Sequence, residues 1–404
     1  MSRWPVAMVL VLTGCFANGP STVPGLGSVS GSNPPVFPAD ATLDQKIELT
    51  RQHLRLPGAV VAVVYGDEVL IDRAYGVAAL GPEKAEAGGE AMTTGHRFRV
   101  ASLTKPFVTA VMLRLVEEGR LGLDDPVGDY LDGIPGAGGD VITLRMLAQH
   151  TSGLPNYVGL PGVKEKLIAE PGRRWTEGEL LAFAYAGKPY FKPAEDGWMY
   201  SNTNYVLLGQ VLEKVTGRGL NDLIQAYVCE PLGLTDTFYS VDAPIPEPVA
   251  RGYQYGDADG PIFWKGQGEV PYDVTDASPS MWYAAGAMVS TLDDTRRFVE
   301  AIVKGELLGD DMHAAMLDFR DTGYPVDYSY GLGLINYYGA IGHTGHVPGY
   351  QVTATHNPEE DLTVVVLANC YSSPNYEEPA NAIFFVIHRH LTGRSVAPPG
   401  WDGW

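Results

Sequence analysis

Cysteine is scarce in this chain, with three in 404 residues, at positions 15, 229 and 370. None forms a C-x-x-C pair and no H-E-x-x-H occurs, so zinc and dithiol redox centres have no motif behind them. The G-x-S-x-G turn that presents the nucleophile of α/β-hydrolases is absent too. Positive charge is thin: 28 Lys and Arg face 48 Asp and Glu, for a net charge of −20. That balance argues against nucleic acid as a partner. The first apolar run, Pro5 to Leu12, is too short to span a bilayer. What is present is apolar mass. Hydrophobic residues make up 45% of the chain and charged ones 19%, enough for a sizeable core in one large or two intertwined domains.

The run at Pro5 to Leu12 follows a basic Arg3 and closes on Leu12-Thr13-Gly14-Cys15. Small residues before a cysteine are the pattern of a bacterial lipoprotein signal over residues 1–15, with cleavage before Cys15 and lipidation of that residue. An ordinary secretory signal peptide with an incidental cysteine is the alternative. Both readings export the protein to the cell envelope, and the first ties it to a membrane through a lipid anchor. Residues 16–41 are rich in Gly, Ser and Pro and read as a flexible tether.

Folded sequence is expected over 42–392, followed by a short tail, 393–404. Thr42 and Gln45 fit a capping box, and Pro57-Gly58 stops the helix they start. Ala59–Tyr65 and Val69–Ala74 are β-rich runs around Gly66-Asp67, which predicts a hairpin. The other end mirrors this: Tyr350–Thr355 and Leu362–Ala368 pair around 357–361, and a helix follows over about Pro379–Leu391. Residues 103–280 read as helices and long loops, with helices at 174–187 and 204–216. The fold class is therefore α+β. An antiparallel sheet built from both chain ends is flanked by terminal helices, and a mostly helical region is inserted between its halves.

Ser102 and Lys105 stand one helical turn apart, ahead of the stripe Val108, Val111, Met112, Leu115. Ser102 is the only serine followed by lysine at the third position. Pro106 is tolerated there because first-turn N–H groups have no intrahelical partner. The pair reads either as a nucleophile with a base beside it, at a helix end that favours negative charge, or as a cap and a solvated lysine. Tyr200-Ser201-Asn202 lies before the helix at 204–216. A tyrosine near a cation can carry protons, and an asparagine can bind a substrate amide; the plain alternative is a core tyrosine and a helix cap. Gly342-His343-Thr344-Gly345-His346 precedes the strand at 350–355. Its glycines let backbone approach a ligand, or they make a turn entering the strand. His343 and His346 make a poor metal pair, and neither metal nor cofactor is expected. His150–Pro155 and Tyr330–Leu334 read as loops of defined backbone. Cys229 and Cys370 pair or remain buried thiols; sequence leaves both open.

Ser102-Leu103-Thr104-Lys105, Tyr200-Ser201-Asn202 and His343-Thr344-Gly345 together resemble the S-x-x-K, Y-x-N and K/H-T-G motifs of serine β-lactamase-like, penicillin-binding enzymes. Order and separation match, and the resemblance covers about 42 to 392, including His150–Pro155. It is similar to the branch of class C β-lactamases, D-alanyl-D-alanine carboxypeptidases, esterases and D-amino-acid peptidases. The resemblance implies a β-lactamase/transpeptidase-like fold and an acyl-enzyme on Ser102, with Lys105 and Tyr200 moving protons. It implies an oxyanion hole of the Ser102 and His346 N–H groups, and substrate binding by Asn202, His343, Thr344 and Gly345. Substrates would be small peptides, esters or β-lactams, with a D-alanyl-D-alanine carboxypeptidase-like activity leading. Carboxypeptidase members carry an arginine for the substrate carboxylate just after the Y-G-L-G-L segment, where this chain has Ile335-Asn336. A protonated His346, or an Arg or Lys from another loop, is a candidate substitute. The reading from another class is a peptidoglycan- or β-lactam-binding lipoprotein without turnover.

Overall fold

The two ends of the folded chain meet in one sheet. The structure, a computed structural model, describes residues 35–397 except 136–137, 194–196, 243, 258–259, 262–267, 325 and 373–377. Cys15, the expected signal and most of the expected tether lie outside the described residues. Helix α1 (Leu43–His53) starts at the expected capping box, with Thr42 accepting from Gln45 N–H and the Gln45 side chain returning to Thr42 N–H. The hairpin follows as β1 (Gly58–Tyr65) and β2 (Glu68–Ala79), with a short β3 (Glu90–Ala91) at the edge. From the other end come β4 (Arg320–Asp321), β5 (Tyr328–Tyr330), β6 (Ile335–Tyr337), β7 (Ala340–Val347), β8 (Tyr350–Asn357) and β9 (Leu362–Ala368). The order is β4-β5-β6-β7-β8-β9-β1-β2-β3, and every pair is antiparallel. The seam between chain halves is β1 on β9, in register from Ala59↔Ala368 to Tyr65↔Leu362.

Both central strands are apolar on both faces, because both faces are covered. Val60 and Ala62 of β1, with Val365 and Leu367 of β9, belong to one core. Their neighbours Val61, Val63, Val364 and Val366 belong to the other, as a period of two requires. The inserted region carries α2 (Thr104–Glu117), α3 (Leu144–Ala148), α4 (Glu177–Ala186) and α5 (Asn202–Thr216), with several shorter helices. It leads into α6 (Leu292–Lys304), which packs on β1, β8 and β9. After β9, α7 (Pro379–Thr392) packs against α1 and covers the opposite face of β8 and β9. Phe107 of α2 stacks on Phe298 of α6 at 3.5 Å between ring centroids, which ties the helical region to the sheet layer. Among the described residues no helix is long and apolar enough to cross a membrane. Cys229 and Cys370 are buried free thiols. Burial pushes the Cys229 thiol up to about 12 and Cys370 higher still, so neither is a ready thiolate.

Candidate active site

Ser102 sits where the chain turns from a short strand, Phe98–Arg99, into α2. The turn is a single 3₁₀ step over Ala101–Leu103, so the α-helix proper starts two residues later than Ser102. Ala101 is held at φ 50°, a conformation unfavourable to a residue with a Cβ. Thr104 fastens it: its hydroxyl donates to Ala101 O at 2.7 Å and accepts from Met288 N–H at 3.2 Å. Lys105, in the first turn of α2, is fully buried. Its Nζ donates to Ser102 Oγ at 3.0 Å and to Ala285 O at 2.7 Å, and lies 4.8 and 5.4 Å from the ring centres of Tyr200 and Tyr205. A solvated first-turn lysine is therefore not what the chain builds.

The Tyr200 hydroxyl also reaches Ser102 Oγ, at 3.0 Å. Ser102, half-buried, thus has an amine and a phenol at hydrogen-bond distance from one oxygen. Whichever of the two is deprotonated can take the Oγ proton, and the other remains a donor. Asn202 is the first residue of α5 rather than part of the preceding loop. Its N–H donates to Asn156 Oδ1 at 3.3 Å. Its own Oδ1 is buried and takes no hydrogen bond from the described residues, which suits an acceptor for an incoming amide N–H.

His343-Thr344-Gly345-His346 lies inside β7, not in a turn ahead of a strand. On one side β7 pairs with β8 through Val347↔Tyr350. On the other, pairing with β6 ends at Ile335↔Gly342, so residues 343–347 have no described strand there, and the Ser102 turn packs against β7. A Cβ on Gly345 would stand 2.8 Å from Ser102 N and 2.8 Å from Ala101 Cβ. Only glycine lets this strand and the serine amide lie so close.

His343 is buried. Its Nδ1 faces Thr344 O, which can only accept, so the proton is on Nδ1 and Nε2 accepts from the Tyr330 hydroxyl at 3.0 Å. Burial, then the charge of Lys105, pushes the ring down to about 3. His346 is also buried, and desolvation lowers it to about 4. Glu378 Oε1 stands 3.7 Å from its Nε2, too far for a hydrogen bond to offset that burial. Both rings are neutral near pH 7, so His346 does not supply the cation that the sequence offered it as.

Ile335 is buried in β6. With Tyr328, Tyr337, Ala340, Thr344 and Phe384 it lines a small cavity of about 20 Å³, and none of the residues lining it is an arginine or lysine. Among the described residues no cluster of three or more His, Cys, Asp and Glu could hold a metal.

One neighbour was read from sequence only as part of a loop. His150, after α3, is fully buried with its ring 4.3 Å from that of Tyr200 and 4.8 Å from that of Tyr330. A histidine preceding Thr-Ser-Gly-Leu-Pro gives no local sign of what its ring will touch.

A model of the Beta-lactamase family matches residues 43–386. Penicillin-binding protein 4* of Bacillus subtilis (strain 168) is 28% identical over 80% of this chain and 70% of its own length. A D-aminopeptidase of Cereibacter sphaeroides is 27% identical over 89% of this chain, which spans 66% of that protein. Among solved structures, a D-stereospecific amidohydrolase from Streptomyces sp. is similar with a TM-score of 0.70 and 31% identity, over 86% of this chain and 98% of that one.

Proposed function

The chain belongs to the Beta-lactamase family and is a serine hydrolase of that fold, and from that premise we propose that it cleaves neutral amide and ester donors of D-amino acids through an acyl-enzyme on Ser102. The observation that carries the chemistry is the convergence of Lys105 Nζ and Tyr200 OH on Ser102 Oγ, each at 3.0 Å. Ser102 Oγ attacks the carbonyl carbon and its proton passes to Lys105 or Tyr200. The oxyanion lies between the N–H groups of Ser102 and His346. The leaving amine or alcohol takes its proton through Tyr200, and water later attacks the ester on Ser102 by the reverse route. Asn202 Oδ1 accepts the substrate amide N–H, while the backbone of His343, Thr344 and Gly345 aligns the extended substrate along the β7 edge.

The leaving-group preference follows from Ile335. A terminal carboxylate is best held by a bidentate cation, and the cavity at Ile335 is lined by no arginine or lysine, with His343 and His346 neutral. This favours an uncharged leaving group over a D-alanyl-D-alanine peptide, and the D-stereospecific amidohydrolase and D-aminopeptidase among its relatives support the D-amino acid part. D-alanine p-nitroanilide and an acetylated D-alanyl-D-alanine peptide, given to the same preparation, should differ about tenfold or more in kcat/KM in favour of the anilide, the worth of one lost charge-assisted contact. Ile335→Arg should narrow that gap by raising turnover of the peptide. A peptide preferred by the unaltered enzyme would overturn the leaving-group assignment. Labelling by a fluorescent penicillin with no turnover of either donor would point instead to the binding protein without activity.

The lipoprotein-like pattern of residues 1–15, closing on Leu12-Thr13-Gly14-Cys15, supports the reading that the protein is exported and anchored in the cell envelope. Cys15→Ala should release the protein from membranes on fractionation and abolish incorporation of a palmitate analogue. Membrane retention of the variant would refute the anchor.

A further inference from the structure

We propose that His150 is a positioning residue that clamps Tyr200 from both sides and so fixes the phenol against Ser102. This rests on the reading of Tyr200 as the proton carrier. The clamp is built on the N–H groups of the two residues that flank Tyr200. Met199 N–H donates to the carbonyl of His150 at 3.0 Å. Ser201 N–H donates to Nδ1 of the His150 ring at 3.2 Å. The ring itself lies 4.3 Å from the Tyr200 ring, tilted by 41°. One residue therefore grips the backbone before the tyrosine, the backbone after it, and its aromatic face. His150 can do this because it sits at φ 61°, the left-handed region, where histidine is among the better tolerated side chains.

The ring's own state is set by its neighbours. Ser201 N–H is a fixed donor, so Nδ1 must be the unprotonated nitrogen. A second donor, Asn204 Nδ2, meets Nδ1 at 3.1 Å. That amide cannot turn round freely. Leu154 N–H donates to Ser152 Oγ at 3.1 Å, and the Ser152 hydroxyl then donates to Asn204 Oδ1 at 2.7 Å. Every donor in this relay points toward Nδ1. The hydrogen of the neutral ring is accordingly on Nε2, which is buried with no hydrogen-bond partner among the described residues and lies among the rings of Tyr200, Tyr205, Tyr330 and Trp198. Burial and the nearby Lys105 charge hold the ring well below its ordinary range, so it stays neutral and moves no proton itself. Its contribution is geometric. A displacement of a catalytic group by about 1 Å costs roughly 100-fold in rate, and the Tyr200 hydroxyl stands 3.0 Å from Ser102 Oγ.

The test compares His150→Asn, whose side-chain oxygen can still accept from Ser201 N–H and Asn204, with His150→Leu, which fills space without an acceptor. Activity on p-nitrophenyl acetate is measured per titrated active serine. His150→Leu should lower kcat about 100-fold with KM changed less than about threefold, and His150→Asn should recover at least tenfold of that. In a Tyr200→Phe background, His150→Leu should cost no more than about twofold. If Tyr200→Phe alone leaves kcat intact, the reading of Tyr200 falls and the clamp falls with it. If Tyr200→Phe is damaging but Leu and Asn at 150 lose equally, or the loss appears in KM, the clamp alone is refuted. A measurement on the unaltered protein guards against a variant that does not fold. Nitrogen-15 NMR of labelled histidine should find His150 protonated on Nε2 and bare on Nδ1; a proton on Nδ1 overturns the proposal.

Discussion

Ser102→Ala is expected to remove turnover of anilide and ester by at least about 10⁴-fold and to abolish covalent labelling by penicillin. Loss of a nucleophile in an interdependent catalytic set costs that much or more, because the groups around it have nothing left to activate. Here those groups are specific. Lys105 Nζ and Tyr200 OH both meet Ser102 Oγ at 3.0 Å, and neither has another electrophile-facing role without it. The change should leave the fold almost untouched. Ser102 is only half-buried, and Lys105 keeps its hydrogen bond to Ala285 O at 2.7 Å. A thermal melt within a few degrees of the parent, with catalysis gone, is the predicted pair of results. Turnover indifferent to this substitution would mean that the reacting group lies elsewhere.

Lys105→Met should be the next most damaging change, lowering kcat by roughly 10³-fold, within the span that positioned proton transfer contributes. Methionine matches the length of the lysine stem, so the buried volume survives. The sign of the stability effect separates two accounts of the lysine. An ammonium held in a fully buried position pays a desolvation cost. Exchange for an apolar side chain of similar size should therefore leave denaturant stability equal or raised, despite the carbonyl of Ala285 losing its donor. Activity lost with stability kept marks a residue retained for chemistry. Activity within tenfold of the parent would leave Tyr200 to receive the Ser102 proton unaided. A clear fall in stability would instead mark Lys105 as part of the fold's own hydrogen bonding.

The parts of the fold that local pattern determines were legible. The Thr42–Gln45 box, the Gly66-Asp67 turn and the β-rich runs at both chain ends depend on residues a few positions apart, and each element forms where that pattern stands. The parts set by distant contacts were not. Helix α5 begins at Asn202, two residues before the helix start read from the sequence. Its first turn is held from the 155–157 segment, with Asn156 accepting from Asn202 N–H and Thr203 Oγ1 accepting from Tyr157 N–H at 3.3 Å. Residues 342–346 read as preceding a strand, with a turn as one alternative, because Gly342 and Gly345 hide any strand alternation, and the closeness of Gly345 to Ser102 N shows why a side chain is excluded at that point. The motif order brought Ser102, Lys105 and Tyr200 to attention, and the three do converge. His150 escaped notice because its value depends on φ 61° and on four aromatic neighbours drawn from other segments.

The seam between β1 and β9 has a consequence for synthesis. Ala59 and Ala368 are paired across about 300 residues of sequence. At 5–20 residues per second, the hairpin of β1 and β2 waits roughly 15–60 s on the ribosome before its central partner exists. Until then Val60, Val61, Ala62 and Val63, which are buried in the finished protein, lack β9 as their second neighbouring strand and the cover of α6. Closing so long a loop is also slow in itself. The molecule is thus one that cannot finish its core early, and through that interval its centre is open to whatever holds or aggregates exposed β-strands.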